Sequence, residues 1–188
     1  MACIKEAVSD FLPIRDYQII PLSRQVLREG FSCGREKIDN FFLKSALEKH
    51  NKNQVKVHVA VINQDDDIKK SIGFYSVCVR TIGCSKFIQK IKRLFKAYGG
   101  VPVVYLSMIG VTEEYSGRGV GSFLLADALD RSLRASKDIG IHGVALDAAT
   151  DELVAFYSRF GFKLLQNAKG ERTMFISCAQ IEDAISKA

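Results

Sequence analysis

The sequence has no tryptophan, only three prolines and three histidines, and no apolar run approaching the roughly 20 residues of a membrane span. A membrane-spanning protein is therefore not expected. The opening MACIKEAVSDFLPIRD carries acids early and holds no continuous apolar stretch, so it does not read as a secretory signal. Cysteine is present but unpatterned: Cys3, Cys33, Cys78, Cys84 and Cys178 are odd in number and form no CxxC. That argues against a disulfide framework and fits a reducing cytoplasm. His50, His58 and His142 pair with no cysteine at ligand spacing, so no metal site is expected. Two phosphate-binding signatures are missing as well. GxxxxGK[ST] does not occur, and GxGxxG fails because Ser122 and Leu124 stand where its third glycine would fall. With no early βαβ unit either, P-loop and dinucleotide chemistry lose their support. Repeats, low-complexity tracts and long linkers are also lacking, which predicts a single domain over residues 1–188.

What is present suits an ordinary soluble domain with a proper core: 188 residues, 47% hydrophobic and 26% charged. The net charge of +6 permits a polyanionic partner. Its distribution is uneven. SKFIQKIKRLFKAYGG holds Lys86, Lys90, Lys92, Arg93 and Lys96 and no acid. Phe87, Ile91, Leu94 and Phe95 recur there at helical spacing, which predicts an amphipathic helix of about three turns. Upstream, a short strand is expected at Tyr17–Leu22, then a helix with Ile38, Phe41, Phe42 and Leu47 on one face. VKVHVAVI alternates as a strand, with Val55, Val57, Val59 and Val61 facing one way, and pairs with SIGFYSVCVRTI across the polar turn NQDDDIKK. VPVVYLSMIGV and IHGVALDA read as strands, and about Gly119 to Lys137 as a helix. TDELVAFYSRFGF reads as a short helix with Thr150 at its N-cap and Gly161 as its stop. FKLL and RTMFISC are late strands joined by QNAKG. Mixed strands and helices around one central sheet make this an α/β (α+β) domain.

Between the strand ending at Val111 and the following helix lies TEEYSGRGVGS, with glycines at 117, 119 and 121. A helix start exposes unpaired N–H groups and the positive end of its dipole. Glycines there let backbone approach an anion without an intervening Cβ. From these residues alone, a tight strand-to-helix turn and a phosphate cradle remain equally open.

SGRGVGSFLLADAL resembles the coenzyme A-binding turn of the GNAT-type N-acetyltransferases, whose pattern is [QR]xxGx[GA] opening a helix. Gly119 and Gly121 match its last two fixed positions. The first falls on Ser116, a departure, while Arg118 keeps a cation in the turn. VALDAATDELVAFYSRFGFKLL resembles the family's second signature through Phe156, Tyr157, Gly161 and Phe162. The resemblance covers about Asp10 to Ser177. It implies a mixed, mostly antiparallel sheet flanked by helices, with two strands splayed to admit acetyl-CoA. It further implies cofactor binding by Met108, Ile109, Gly110, Val111 and Phe156, and by the turn residues Ser116, Gly117, Arg118, Gly119, Val120, Gly121 and Ser122. Gly110 would mark close backbone approach or a bulge. Tyr157 falls at the family's general-acid position; a phenol of pKa about 10 stays protonated at neutral pH and can donate to a thiolate. By position, Glu113, Glu114 and Asp147 are candidates for a base. An α-amine of pKa about 8 is partly neutral at pH 7, whereas a lysine at about 10.4 is not. The lack of an obvious base thus favours an α-amine acceptor.

The N-terminal half resembles the toxin branch of the same family, which carries F-x-[CS]-G-x-x-x-[LI]-[DN]-x-[FWY]-[FL]. Phe31, Cys33, Gly34, Ile38, Asp39, Phe41 and Phe42 match it. That branch often has Gly-Arg in its cofactor strand, where this chain reads LSMIGV. The resemblance implies acetylation of the α-amine of aminoacyl-tRNA as a translation-blocking toxin, with a small ribbon-helix-helix antitoxin and a homodimer as expected partners. Such an acceptor needs phosphate contacts. Lys86, Lys90, Lys92, Arg93, Lys96 and Arg159 are the expected tRNA-facing residues. Two other readings stay open: a GNAT enzyme for a small amine or protein terminus, and a non-catalytic nucleic-acid-binding module.

Overall fold

A computed structural model of the chain describes residues 17–63, 69–165 and 170–186. In chain order its elements are β1 (Gln18–Pro21), β2 (Val26–Leu27), α1 (Glu36–Asn40), a π-helical turn (Phe41–Ser45), α2 (Ala46–Asn51), β3 (Lys56–Asn63) and β4 (Lys69–Ile82). There follow α3 (Gln89–Phe95), β5 (Val101–Val111), α4 (Val120–Ala135), β6 (Gly143–Asp147), α5 (Asp151–Arg159), β7 (Lys163–Leu164), β8 (Thr173–Ser177) and α6 (Cys178–Ser186). The mixed α/β class is as expected. Among the described residues no helix is long and apolar enough to cross a membrane. Parts of the expected turns NQDDDIKK and QNAKG, and the resemblance before Tyr17, lie outside the described residues.

The chain divides into two compact units. Of the described residues, one takes those up to Cys78 together with Ser107–Ala128; the other takes Val79–Leu106 and those from Leu129 on. β4, β5 and α4 contribute residues to both.

In the first unit β1 pairs antiparallel with β3, and β3 with β4. The expected alternation of VKVHVAVI holds at Val57 and Val59, but Ala60 and Val61 are both buried, because a register shift falls between them. The core is aromatic. Phe74 stacks on Phe42 with centroids 4.2 Å apart and meets Phe31 at 5.5 Å. The π turn was not legible from the 3.6-residue period. There the Ala46 N–H reaches back to the Phe41 carbonyl, and the widened turn lets Phe41 pack against the core whose centre Phe42 fills.

In the second unit β5 runs parallel to β6, with Val103 opposite Gly143, and β8 lies antiparallel to both β6 and β7. The basic helix is shorter than predicted. α3 covers only Gln89–Phe95, bracketed by 3-10 turns at Cys84–Lys86 and Lys96–Tyr98. Phe87 precedes it in extended backbone and is buried, while Leu94 is 60% exposed, so the apolar spacing did not describe one packed face. α6 was not anticipated, although Ser177-Cys178-Ala179-Gln180 is a capping box. The Gln180 amide donates to the Ser177 hydroxyl at 3.3 Å, and the Ser177 amide donates to Gln180 Oε1 at 3.1 Å. The helix then seats Ile181 in full burial.

Candidate functional site

In the first unit, β5 delivers the chain to the glycine turn along a braced path. The Thr112 amide donates to the Ile72 carbonyl at 2.9 Å and the Glu113 amide to the Ser32 carbonyl at 2.9 Å. A 3-10 turn at Glu113–Tyr115 follows, and the Ser116 amide donates to the Glu113 carbonyl at 3.1 Å. Gly117 and Gly119 take φ of 74° and 82°, in the left-handed region that L side chains avoid. Each is thus required by the turn itself. Gly121 differs. It is helical, its φ is not positive, and an added Cβ would meet only Val111 Cγ2 at 3.8 Å. Nothing in the protein's own packing calls for glycine there. At Gly117 a Cβ would meet nothing within 4 Å. The first amides of α4 have no intrahelical acceptor, and the pair of bare positions leaves backbone approachable beside them. The residues present fit a pyrophosphate.

Gly110 is explained otherwise. A Cβ there would come within 2.9 Å of Ile38 Cγ2 and 3.3 Å of Phe74 Cε1. Its missing side chain is filled by the protein's own core. Met108 packs partly buried against the same cluster, and Ile109 and Val111 are half-buried on β5. Ser116 is exposed, in extended backbone. Val120 and Ser122 are buried in the first turn of α4. Arg118 lies over the Tyr115 ring, 5.2 Å from its centroid. It borders a cavity of about 500 Å³ lined also by Tyr17, Gln18, Asn63 and Tyr115. The carboxylates of this turn already have partners. Glu114 pairs with Lys70 at 3.4 Å, and Glu113 accepts from the Ser32 hydroxyl at 3.5 Å. Beside them Cys33, whose amide donates to Asp39 Oδ1 at 2.9 Å, has its thiol pushed up to about 11, first by burial and then by its hydrogen bond to Asp39. It is therefore no thiolate at neutral pH.

In the second unit, α5 begins as predicted. The Leu153 amide donates to Thr150 Oγ1 at 3.3 Å, and Gly161 ends the segment at φ 88°. Tyr157 is only 4% exposed, with its ring against Phe156 at 5.2 Å and Phe162 at 5.9 Å. Aromatic packing on both neighbours fixes the ring, which is what a proton donor must have to act at one place. Arg159 is exposed over Phe156 at 5.3 Å. At the C-terminal end of β6, Asp147 accepts from the Tyr105 hydroxyl at 2.5 Å, and the Arg80 guanidinium covers the Tyr105 ring at 3.9 Å. Tyr105 and Arg80 had no local sequence signal, since Tyr105 and Asp147 stand 42 positions apart. Of the basic set, Lys86 is engaged by Glu171 at 2.7 Å. Lys90, Arg93 and Lys96 are exposed, Lys92 is half-buried, and among the described residues none of these four forms an ion pair.

The model of the acetyltransferase (GNAT) domain matches residues 56–164, a span holding both the glycine turn and Tyr157. A probable toxin TacT from Sinorhizobium fredii (strain NBRC 101917 / NGR234) is 34% identical over 145 residues, covering 73% of this chain and 78% of that protein. A tRNA-acetylating toxin from Mycobacterium tuberculosis (strain ATCC 25618 / H37Rv) is 31% identical over 135 residues, covering 72% and 77%. Among solved structures, AtaT complexed with acetyl-methionyl-tRNAfMet superposes with a TM-score of 0.81 at 23% identity, over 90% of this chain and 99% of that one. AtaT bound to the C-terminus of its antitoxin AtaR superposes at 0.74 and 23% identity, over 89% and 96%.

Proposed function

The chain belongs to the GNAT acetyltransferase family, and from that premise we propose that it moves an acetyl group from acetyl-CoA to the α-amine of an aminoacyl-tRNA, arresting translation. The observation that carries this reading is the relative named for tRNA acetylation, which matches 72% of the chain at 31% identity. Lys90 and Arg93 of α3, exposed and without an ion pair among the described residues, suit the same acceptor.

Acetyl-CoA supplies an activated thioester. Its pyrophosphate is assigned to the amides that open α4, beside Gly117, Gly119 and Gly121. A neutral amine held here would take the acetyl group from the thioester as the C–S bond breaks, and would shed its proton to solvent or to a nearby carboxylate. The Tyr157 hydroxyl would donate a proton to the departing sulfur and would then be reprotonated from solvent. Of the candidate bases, Asp147 is held at 2.5 Å by the Tyr105 hydroxyl, against 3.5 Å from the Ser32 hydroxyl to Glu113. An α-amine asks little of it, being partly neutral already. A cytoplasmic site of action and neutralisation by a small antitoxin complete the proposal, as does self-association into a dimer.

The test is incubation with acetyl-CoA and a panel of aminoacyl-tRNAs. Acetylated α-amine on at least one charged tRNA is the expected result. Acetylation of free amines with none on any charged tRNA would replace this reading with a small-amine transferase.

A further inference from the structure

A second cavity, of about 520 Å³, lies wholly within the second unit and plays no part in acetyl transfer as derived above. Its lining includes Phe95, Tyr98, Pro102, Ile141 and His142. Three of those are flat rings. Phe95 meets His142 at 4.9 Å and Tyr98 at 6.3 Å, and His142 stacks on Phe175 at 5.8 Å with an interplanar angle of 20°. Tyr98 is 77% exposed. The His142 backbone is pinned on both sides, its amide donating to the Pro102 carbonyl at 2.9 Å and its carbonyl accepting from the Cys178 amide at 3.0 Å. Its ring nitrogens make no hydrogen bond among the described residues. The cavity thus offers stacking faces together with an unused polar edge.

Its rim is basic. Phe95 sits between Arg93 and Lys96 in sequence, and Lys90 and Lys92 precede them on the same short helix. No acid occurs from Cys84 to Gly100. Two copies of this chain meeting through that surface would set like charges against one another, which is costly at an interface. A polyanion would not suffer this. Stacking faces beside unpaired cations are the combination that holds an unstacked base while neighbouring phosphates are neutralised.

We propose that this cavity binds a nucleobase of a single-stranded stretch of RNA, with Tyr98 and Phe95 stacking on the base and His142 bonding its edge. The assignment of that RNA to the tRNA acceptor end rests on the function proposed above. His142 immediately precedes β6 and Asp147 ends it, five residues or roughly 17 Å apart at strand rise. The base bound here is therefore not the aminoacylated one but one further along the strand.

The experiment measures the affinity of uncharged tRNA and of a short single-stranded oligoribonucleotide across a range of salt, for wild type, Tyr98→Ala, Tyr98→Phe and Arg93→Ser. Tyr98 is so exposed that its truncation leaves the fold intact, which a melting curve checks. Tyr98→Ala weakens both ligands by about tenfold, Tyr98→Phe restores binding, and the salt slope stays unchanged. Arg93→Ser instead lowers the salt slope by roughly one. Unaltered affinity in Tyr98→Ala overturns the proposal, even if aminoacyl-tRNA is acetylated. So does a shift of oligomeric state in Tyr98→Ala without an RNA effect, which would make the cavity a self-interface. If no charged tRNA is acetylated but the oligonucleotide still binds through Tyr98, the cavity assignment stands and the function fails. Absence of any RNA binding by wild type overturns the cavity assignment.

Discussion

At the scale of single residues, the glycines of the turn do different work, and substitutions separate them. Gly119→Ala forces an L side chain to φ 82° and should cost about 1–2 kcal/mol of stability, measured by thermal or denaturant unfolding. Gly121→Ala sits in helical backbone with only a 3.8 Å neighbour. It should hold or raise stability, by up to about 1 kcal/mol, while raising the KM for acetyl-CoA. Loss of stability there instead would mean that the position serves packing. Tyr157→Phe keeps the ring against Phe156 and Phe162 and removes only the hydroxyl. Acetyl transfer should fall about 10²–10⁴-fold, with acetyl-CoA binding retained in calorimetry. At Gly110 the expectation was close backbone approach or a bulge, and the close approach found is to Ile38 and Phe74 of the core.

At the scale of elements, the ends of helices were legible wherever both halves of a cap lie close in sequence. Thr150 caps α5 as predicted, and Ser177 with Gln180 caps α6, a pattern equally readable but overlooked. Ser177→Ala should cost about 0.5–2 kcal/mol through the lost N-cap bond to the Gln180 amide. Chemical denaturation with helix content followed by circular dichroism checks it. α2 is tied to β3 by a histidine. The Val57 amide donates to His50 Nδ1 at 3.0 Å. Burial, followed by the nearby Lys56 charge, holds that ring below its ordinary 6.5. A lowered pKa means the unfolded chain binds the proton more readily. The contribution is therefore complete above pH 6.5 and is lost as pH falls through the folded value. Half-buried His142 shifts the same way for the same first cause, burial. Melting temperature should drop on acidification from pH 7 toward 5, and His50→Gln should flatten that slope. The π turn and the shortened α3 escaped the sequence because a fixed 3.6-residue period cannot register an inserted residue, or a helix stopped early by its surroundings.

At the scale of the whole molecule, the excess of 27 basic over 21 acidic residues states that a polyanion is welcome without saying where. Pairing in the folded chain narrows the answer. Lys86 goes to Glu171, Lys70 to Glu114 and Arg172 to Asp151, whereas Lys90, Lys92, Arg93 and Lys96, clustered in one acid-free segment, form no ion pair among the described residues. Removing the charge of Lys86 should therefore change the salt dependence of tRNA binding less than removing that of Arg93.

The amino-acid sequence by itself determined the glycine turn, the Thr150 cap and the FYSRFGF ending. Backbone freedom, helix starts and helix stops are settled by residues within a few positions of one another. Only the tertiary structure decided that Gly110 serves the core, that Lys86 is spoken for, and that Tyr105 holds Asp147. Each of those depends on a partner more than 30 positions away, brought near by packing that no local pattern encodes.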